Sequence, residues 1–257
     1  MELSGKQKIQ YEKSQLVEVI CQLRFPTILS IGSRDPVDFQ ELVRQNLPRY
    51  VQKAEKQGGQ NVKTHSFLSA GGEYKLSLTT TFIALSTRSY TNWRDFAGCL
   101  DEPLGHFISV YRPAYFERIG LRYINGISRE NLGLEDVRWR ELFAPQYLGV
   151  LALDETDEKQ VSKASADTEM KLGDKCFLRV HAGPGLLKRS ISGPEGVREI
   201  QEKTPRFIFD QDIYASGNIP LHSAAEVLDT LHAHADRIFA GAITDKLHDA
   251  MEPVYID

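Results

Sequence analysis

The chain has 257 residues, 41% of them apolar and 26% charged, with a formal net charge of −4. That length can bury a sizeable core, and that composition is ordinary for a globular protein. The charge balance argues against a protein that lives on nucleic acid or an anionic membrane, and no uninterrupted apolar run reaches the ~18 residues of a membrane helix.

Cys21, Cys99 and Cys176 lie far apart with no C-x-x-C pair, so they read as buried thiols of a reducing compartment rather than zinc or redox ligands. The polar start MELSGKQKIQYEKSQ lacks the apolar stretch of a secretory signal. Together these place the chain in the cytoplasm.

Residues 1–14 are polar and expected to be flexible. From Leu16 to Phe25, Val17, Val19, Cys21, Leu23 and Phe25 alternate with Glu18, Gln22 and Arg24, the period of a half-buried strand that ends at Pro26. Asp35-Pro36 reads as a helix start, and Phe39, Leu42, Val43, Leu47, Tyr50, Val51 and Ala54 recur on one side up to Gly58-Gly59, with Pro48 kinking or interrupting the run. Strands are expected at about 62–69 and 73–87, joined by Ala70-Gly71-Gly72 as a hairpin. Asn92 caps a helix carrying Trp93, Phe96, Leu100, Leu104, Phe107 and Tyr111, with a kink or break at Pro103.

FERIGLRYINGI, from Phe116 to Ile127, alternates Ile119, Leu121, Tyr123 and Ile127 with Arg118, Gly120, Arg122 and Gly126. A shift of 98 residues lays Leu23, Arg24 and Phe25 over Leu121, Arg122 and Tyr123, which suggests two strands of one design. Residues 134–143 read as a short helix, and 147–153, 161–170 and 175–182 as strands. The glycine- and proline-rich stretch 183–205 reads as a long loop, either a lid or a protease-sensitive linker. A strand comes next at Arg206–Tyr214. Then Ser223 and Glu226 form a capping box for a long helix presenting Leu228, Leu231, Ala235, Ile238, Phe239, Ala242 and Leu247.

Adjacent strands with short links favour antiparallel pairing. The expected class is α+β: one domain over 15–257 in two halves, about 15–112 and 113–257, with a mainly antiparallel curved sheet and helices on one face, including the long C-terminal one. The element order is similar to the duplicated sheet of TATA-binding proteins and to helix-grip folds.

The chain carries no phosphate-binding loop, dinucleotide fingerprint, zincin motif or nucleophile elbow. No catalytic residue, cofactor or metal is therefore assigned, and the balance leans away from an enzyme. The candidate site is the polar face of the sheet, with Arg24, Lys75, Thr79, Arg122, Arg179, His181, Asp210 and Asp212. Guanidinium, hydroxyl and imidazole groups there suit an anionic ligand, and the competing reading is a water-facing surface of cross-strand ion pairs. On the last helix His232 lies between Asp229 and Asp236, where surface ion pairing outweighs a metal site with a single histidine.

The landmarks LVEVICQLRFP, ERIGLRYIN and LHAHADRIFAGAITDKL resemble a sporadically distributed prokaryotic family of uncharacterised proteins. The resemblance implies a cytosolic accessory protein of the kind found among mobile or defence-linked genes, with no activity, cofactor or site residue to carry over. The expected function is a non-enzymatic protein-binding module. The alternatives are a small-molecule binder or enzyme using a pocket between sheet and long helix and, third, nucleic-acid binding across the open face.

Overall fold

The computed structural model describes residues 8–57, 60–193, 196–201 and 204–256. Its strands are β1 (Lys8–Tyr11), β2 (Leu16–Arg24), β3 (Arg49–Gln57), β4 (Gln60–Leu68), β5 (Tyr74–Leu78), β6 (Phe82–Thr87), β7 (Phe116–Ile127), β8 (Ala166–Gly173), β9 (Cys176–Gly185), β10 (Lys188–Gly193), β11 (Gly196–Gln201), β12 (Arg206–Ile219) and β13 (Pro253–Ile256). The α-helices are α1 (Leu29–Ser33), α2 (Val37–Val43), α3 (Trp93–Tyr111), α4 (Arg129–Leu132), α5 (Ala224–Ala242) and α6 (Asp245–Ala250).

Nine strands form one antiparallel sheet in the order β3-β4-β5-β6-β2-β7-β12-β9-β8. Its centre is the β2–β7 pair, where Val19 lies opposite Tyr123, Cys21 opposite Leu121 and Leu23 opposite Ile119. All six are buried, so the alternation on both strands puts apolar side chains on the same face. Beside this pair β6 lies next to β2 and β12 next to β7, with β5, β4 and β3 outward on one side and β9 and β8 on the other.

The inner face carries the helices. Phe107 of α3 packs on Phe25 at a ring separation of 4.7 Å, and Phe239 of α5 lies 6.0 Å from Phe209 of β12. Asn92 caps α3 as expected, its side chain accepting the Asp95 backbone N–H at 2.9 Å. The helix runs unbroken through the buried Pro103, which costs it one backbone hydrogen bond.

Several expected elements differ. The helix starting after Asp35 ends at Val43, and the residues beyond Pro48 form β3, paired with β4 from Arg49↔Leu68 to Gln57↔Gln60. Proline stops the helix rather than kinking it, and the open edge of β4 captures the residues after it; Gly58-Gly59 lie outside the described residues. Between Trp139 and Gln160 the expected helix and first strand are replaced by 3-10 turns that bury Trp139, Leu148 and Leu151. These runs are too short for periodicity to discriminate.

The stretch 183–205 is not one long loop: β9 continues to Gly185, and β10 and β11 pair as a hairpin. Ser223 makes no cap bond, because it is itself in helical conformation at the end of a 3-10 turn, Leu221–Ser223. Lys8–Tyr11, expected to be flexible, pairs with β13. Of the thiols Cys21 is buried, but Cys176 is half-buried and Cys99 exposed.

Phe25→Ala removes a fully buried ring that joins β2 to α3. It is expected to cost about 3–5 kcal/mol, read as a lower urea midpoint at unchanged slope; a loss below about 1 kcal/mol contradicts the shared core.

Candidate functional site

The register fixes what shares the outer face, opposite the helices. One row of directly opposed residues runs Arg49–Leu68–Lys75–Ser86–Ile20–Arg122–Asp212–Arg179–Glu169 across all nine strands. One step along the strands lies Val51–Ser66–Ser77–Ala84–Gln22–Gly120–Tyr214–Phe177–Lys171, and beyond it Lys53–Thr64 and Phe82–Arg24–Arg118–Ser216. On the other side of the first row is Glu18–Ile124–Asp210–His181–Asp167.

Five of the eight candidate residues meet in one place. Arg122, Arg179, His181, Asp210 and Asp212 line a shallow depression of 440 Å³ over β7, β12, β9 and β8, together with Asp167 and Glu169. The other three do not join it. Lys75 stands on β5, three inter-strand steps from Arg122, or about 14 Å at ~4.8 Å per step. Arg24 stands on β2 opposite Arg118 and Phe82. Thr79 is buried in the β5–β6 turn, its hydroxyl accepting the backbone N–H of Thr81 at 3.2 Å and of Phe82 at 3.1 Å. Its side chain therefore holds a turn and presents nothing to a ligand.

Inside the depression every charge has a partner. Arg122 grips Asp210 with both arms of its fork, Nε to Oδ1 at 2.7 Å and Nη2 to Oδ2 at 2.5 Å. Arg118 donates to both oxygens of Asp212 at 2.7 Å. Arg179 reaches Glu169 at 3.0 Å, and His181 Nδ1 lies 2.7 Å from Asp167. The Asp210 hydrogen bond raises the Arg122 pKa, and the Arg179 hydrogen bond holds the Glu169 carboxyl below its ordinary value.

Gly120 makes the longest of these reaches possible. Arg118 and Asp212 stand two rows apart, so the guanidinium lies along β7 across Gly120 and over the Tyr214 ring, 4.4 Å from its centroid. A Cβ at Gly120 would sit 2.2 Å from Arg118 Nη1. Arg179 approaches the same ring at 5.3 Å, and Phe177 stacks beside it at 5.2 Å. Gly126 is similarly filled: a Cβ there would meet Leu187 Cδ1 at 2.7 Å and Val17 Cγ2 at 3.0 Å. The close approach that these glycines allow is used by the chain's own side chains.

Sequence reasoning missed Arg118, Asp167, Glu169 and Tyr214. Arg118 and Tyr214 were within reach of it, since each falls on the polar phase of its strand. Asp167 and Glu169 required the β8–β9 register, which the sequence does not announce.

On the helix side, His232 sits in an aromatic cluster. Tyr123 Oη is 3.0 Å from His232 Nδ1, Trp93 stacks on the imidazole at 4.7 Å, and Asp236 lies 3.4 Å from Nε2. Asp229 instead accepts the Trp93 indole N–H at 2.8 Å. Burial pushes the Tyr123 phenol well above its ordinary pKa. These contacts tie α3, α5 and β7 together, and the described residues contain no cluster of three or more metal-ligating side chains. In comparisons with known proteins, no family model and no curated protein matches the chain.

A double-mutant cycle on Arg122→Ala and Asp210→Ala is expected to give a coupling of about 1 kcal/mol that shrinks with added salt, because the pair is bidentate but half-exposed; zero coupling contradicts the pairing. A carboxylate held below its ordinary pKa of 4.5 stabilises the fold above that pH, and its contribution is lost as pH falls through the folded value. Glu169→Gln should therefore flatten the acid-side fall in thermal stability, and an unchanged acid limb contradicts the Arg179 pairing.

Proposed function

We propose that this chain is a non-enzymatic binding protein whose partner docks on the open outer face of the sheet. One observation carries the reading: nine strands share a face that no helix covers among the described residues, while α3 and α5 occupy the other. Nine strands enclose eight gaps, so at ~4.8 Å each the face is about 38 Å wide, and four residue rows give it about 20 Å of height. The resulting area, roughly 800 Å², is what one partner contributes to a standard-sized interface.

The charges support a protein partner over a small anion. Around the depression Arg118, Arg122 and Arg179 already hold carboxylates, and a free anion would have to displace an intramolecular one, bidentate in the case of Arg122 and Asp210. A protein can instead exchange these pairs across a broad surface, where opposed charges set register and exclude wrong partners. Among the described residues no helix is long and apolar enough to cross a membrane. We read the protein as cytoplasmic, built from two like halves, and as an accessory member of a prokaryotic defence or toxin–antitoxin system.

The test is lysine footprinting of the tagged chain purified from its host. Lys53, Lys75 and Lys171 on the outer face are expected to be protected from acetylation by a stoichiometric protein partner, while Lys159 and Lys246 stay reactive. Protection confined to Lys159 and Lys246, or to no lysine, contradicts the reading.

A further inference from the structure

The two halves of the outer face differ in how their charge is spent. On β7, β12, β9 and β8, Arg118, Arg122, Arg179, His181 and Lys171 each have a carboxylate partner. On β3, β4, β5, β6 and β2, the outward cations Arg49, Lys53, Lys75 and Arg24 make no ion pair with any described residue, and Glu18 on the same face lies 3.8 Å from Arg88. Four uncommitted cations therefore stand on one half of a chain whose net charge is −4.

Their placement obeys the rows. Arg49 and Lys75 stand on one side of the row Val51–Ser66–Ser77–Ala84–Gln22, and Lys53 and Arg24 on the other. Long cationic side chains thus flank a row whose three middle residues, Ser66, Ser77 and Ala84, are small. Ala84 and Ser86 face away from the helices and are only 8% and 9% exposed. At the β7 end the row is closed by the Arg118 guanidinium lying across Gly120. The row crosses five strands, or four gaps, so a channel along it would be about 19 Å long at ~4.8 Å per gap, the length of about six extended residues.

We propose that this channel binds an extended acidic polypeptide segment of the partner, laid across the strands, with Arg49 and Lys75 along one edge and Lys53 and Arg24 along the other. The proposal rests on the reading of the open face as the partner surface and adds the chemistry of what the partner presents. Carboxylates on both sides of an extended segment alternate outward, which matches cations on both edges. Ser66, Ser77 and Gln22 on the floor supply donors and acceptors for the segment's backbone. A nucleic acid fits less well: the floor row carries no aromatic ring to stack a base, and four cations are few for a polyanion.

The test uses fluorescence anisotropy with labelled octaglutamate, octaglutamine and a short oligothymidine, at about 50 mM salt where surface charge is weakly screened. Octaglutamate is expected to bind the wild type and octaglutamine not. Binding should weaken by about tenfold or more in Arg24→Glu/Lys75→Glu, where attraction becomes repulsion, and equally in Ser77→Trp, which fills the floor and leaves the charges in place. Lys171→Glu, on the paired half, should leave it unchanged. Thermal melting of each variant confirms that it is folded.

Equal binding of octaglutamine, an equal loss in Lys171→Glu, or tighter binding of oligothymidine overturns the proposal. Failure of octaglutamate binding while Lys171 remains protected in the native complex overturns the channel alone. Loss of all outer-face protection overturns the parent reading as well.

Discussion

The pairing of β2 with β7 is the constraint on which the molecule depends. It joins five strands to four, and it does so with residues that are fully or almost fully buried: Val19, Cys21 and Leu23 against Tyr123, Leu121 and Ile119. A slip of β2 by one residue would turn Val19, Cys21 and Leu23 toward water. At roughly 1.5–3 kcal/mol for each large apolar side chain withdrawn from water, the register is strongly specified. Burial also pushes the Cys21 thiol up to about 12, so it stays neutral and behaves as core.

Once that register is set, the sheet necessarily divides into two faces. The inner face collects the aromatic core and the helices. The outer face receives Arg118 and Arg122 from β7 and Asp210 and Asp212 from β12, as their strand phase requires. An exposed ion pair such as Arg179–Glu169 is worth about 0–1 kcal/mol, and the part-buried Arg118–Asp212 and Arg122–Asp210 pairs lose much of their attraction to desolvation, so each contributes less than the burial beneath it. The ladder of charges therefore does little to hold the fold. It leaves a surface that is charged yet internally neutral on one half and, among the described residues, carries unpaired cations on the other, an asymmetry invisible in the net charge of the chain.

Much of this was legible in the sequence where a period persisted. β2, β7, β12 and α3 could be read from alternation or helical spacing, and the outward phase of Arg24, Arg122, Asp210 and Asp212 came with them. The α+β class and the helix-covered face emerged from the order of elements. What escaped depended on partners distant in the chain. β3 was hidden because Tyr50, Val51 and Ala54 continue an apparent helical stripe past Pro48, and only the free edge of β4 decides otherwise. Thr79 shares the polar phase of β5 but lies one residue beyond the strand, where two backbone N–H groups claim its hydroxyl. The 3-10 layer around Trp139 and Leu151 has no period to read, and the meeting of Arg118 with Asp212 depends on Gly120 and on a register between residues 94 apart in the chain.

The functional account joins these levels: a core that fixes the register, a register that sorts the charges, and charges that, in our proposal, receive an acidic partner on one half of an open face. The most direct measurement is the structure of the complex isolated from the host. The account places the partner across the outer face, with its carboxylates in salt-bridge contact with Arg24, Lys53 and Lys75. A partner seated on α3 or α5, with the outer face left to solvent, would contradict it.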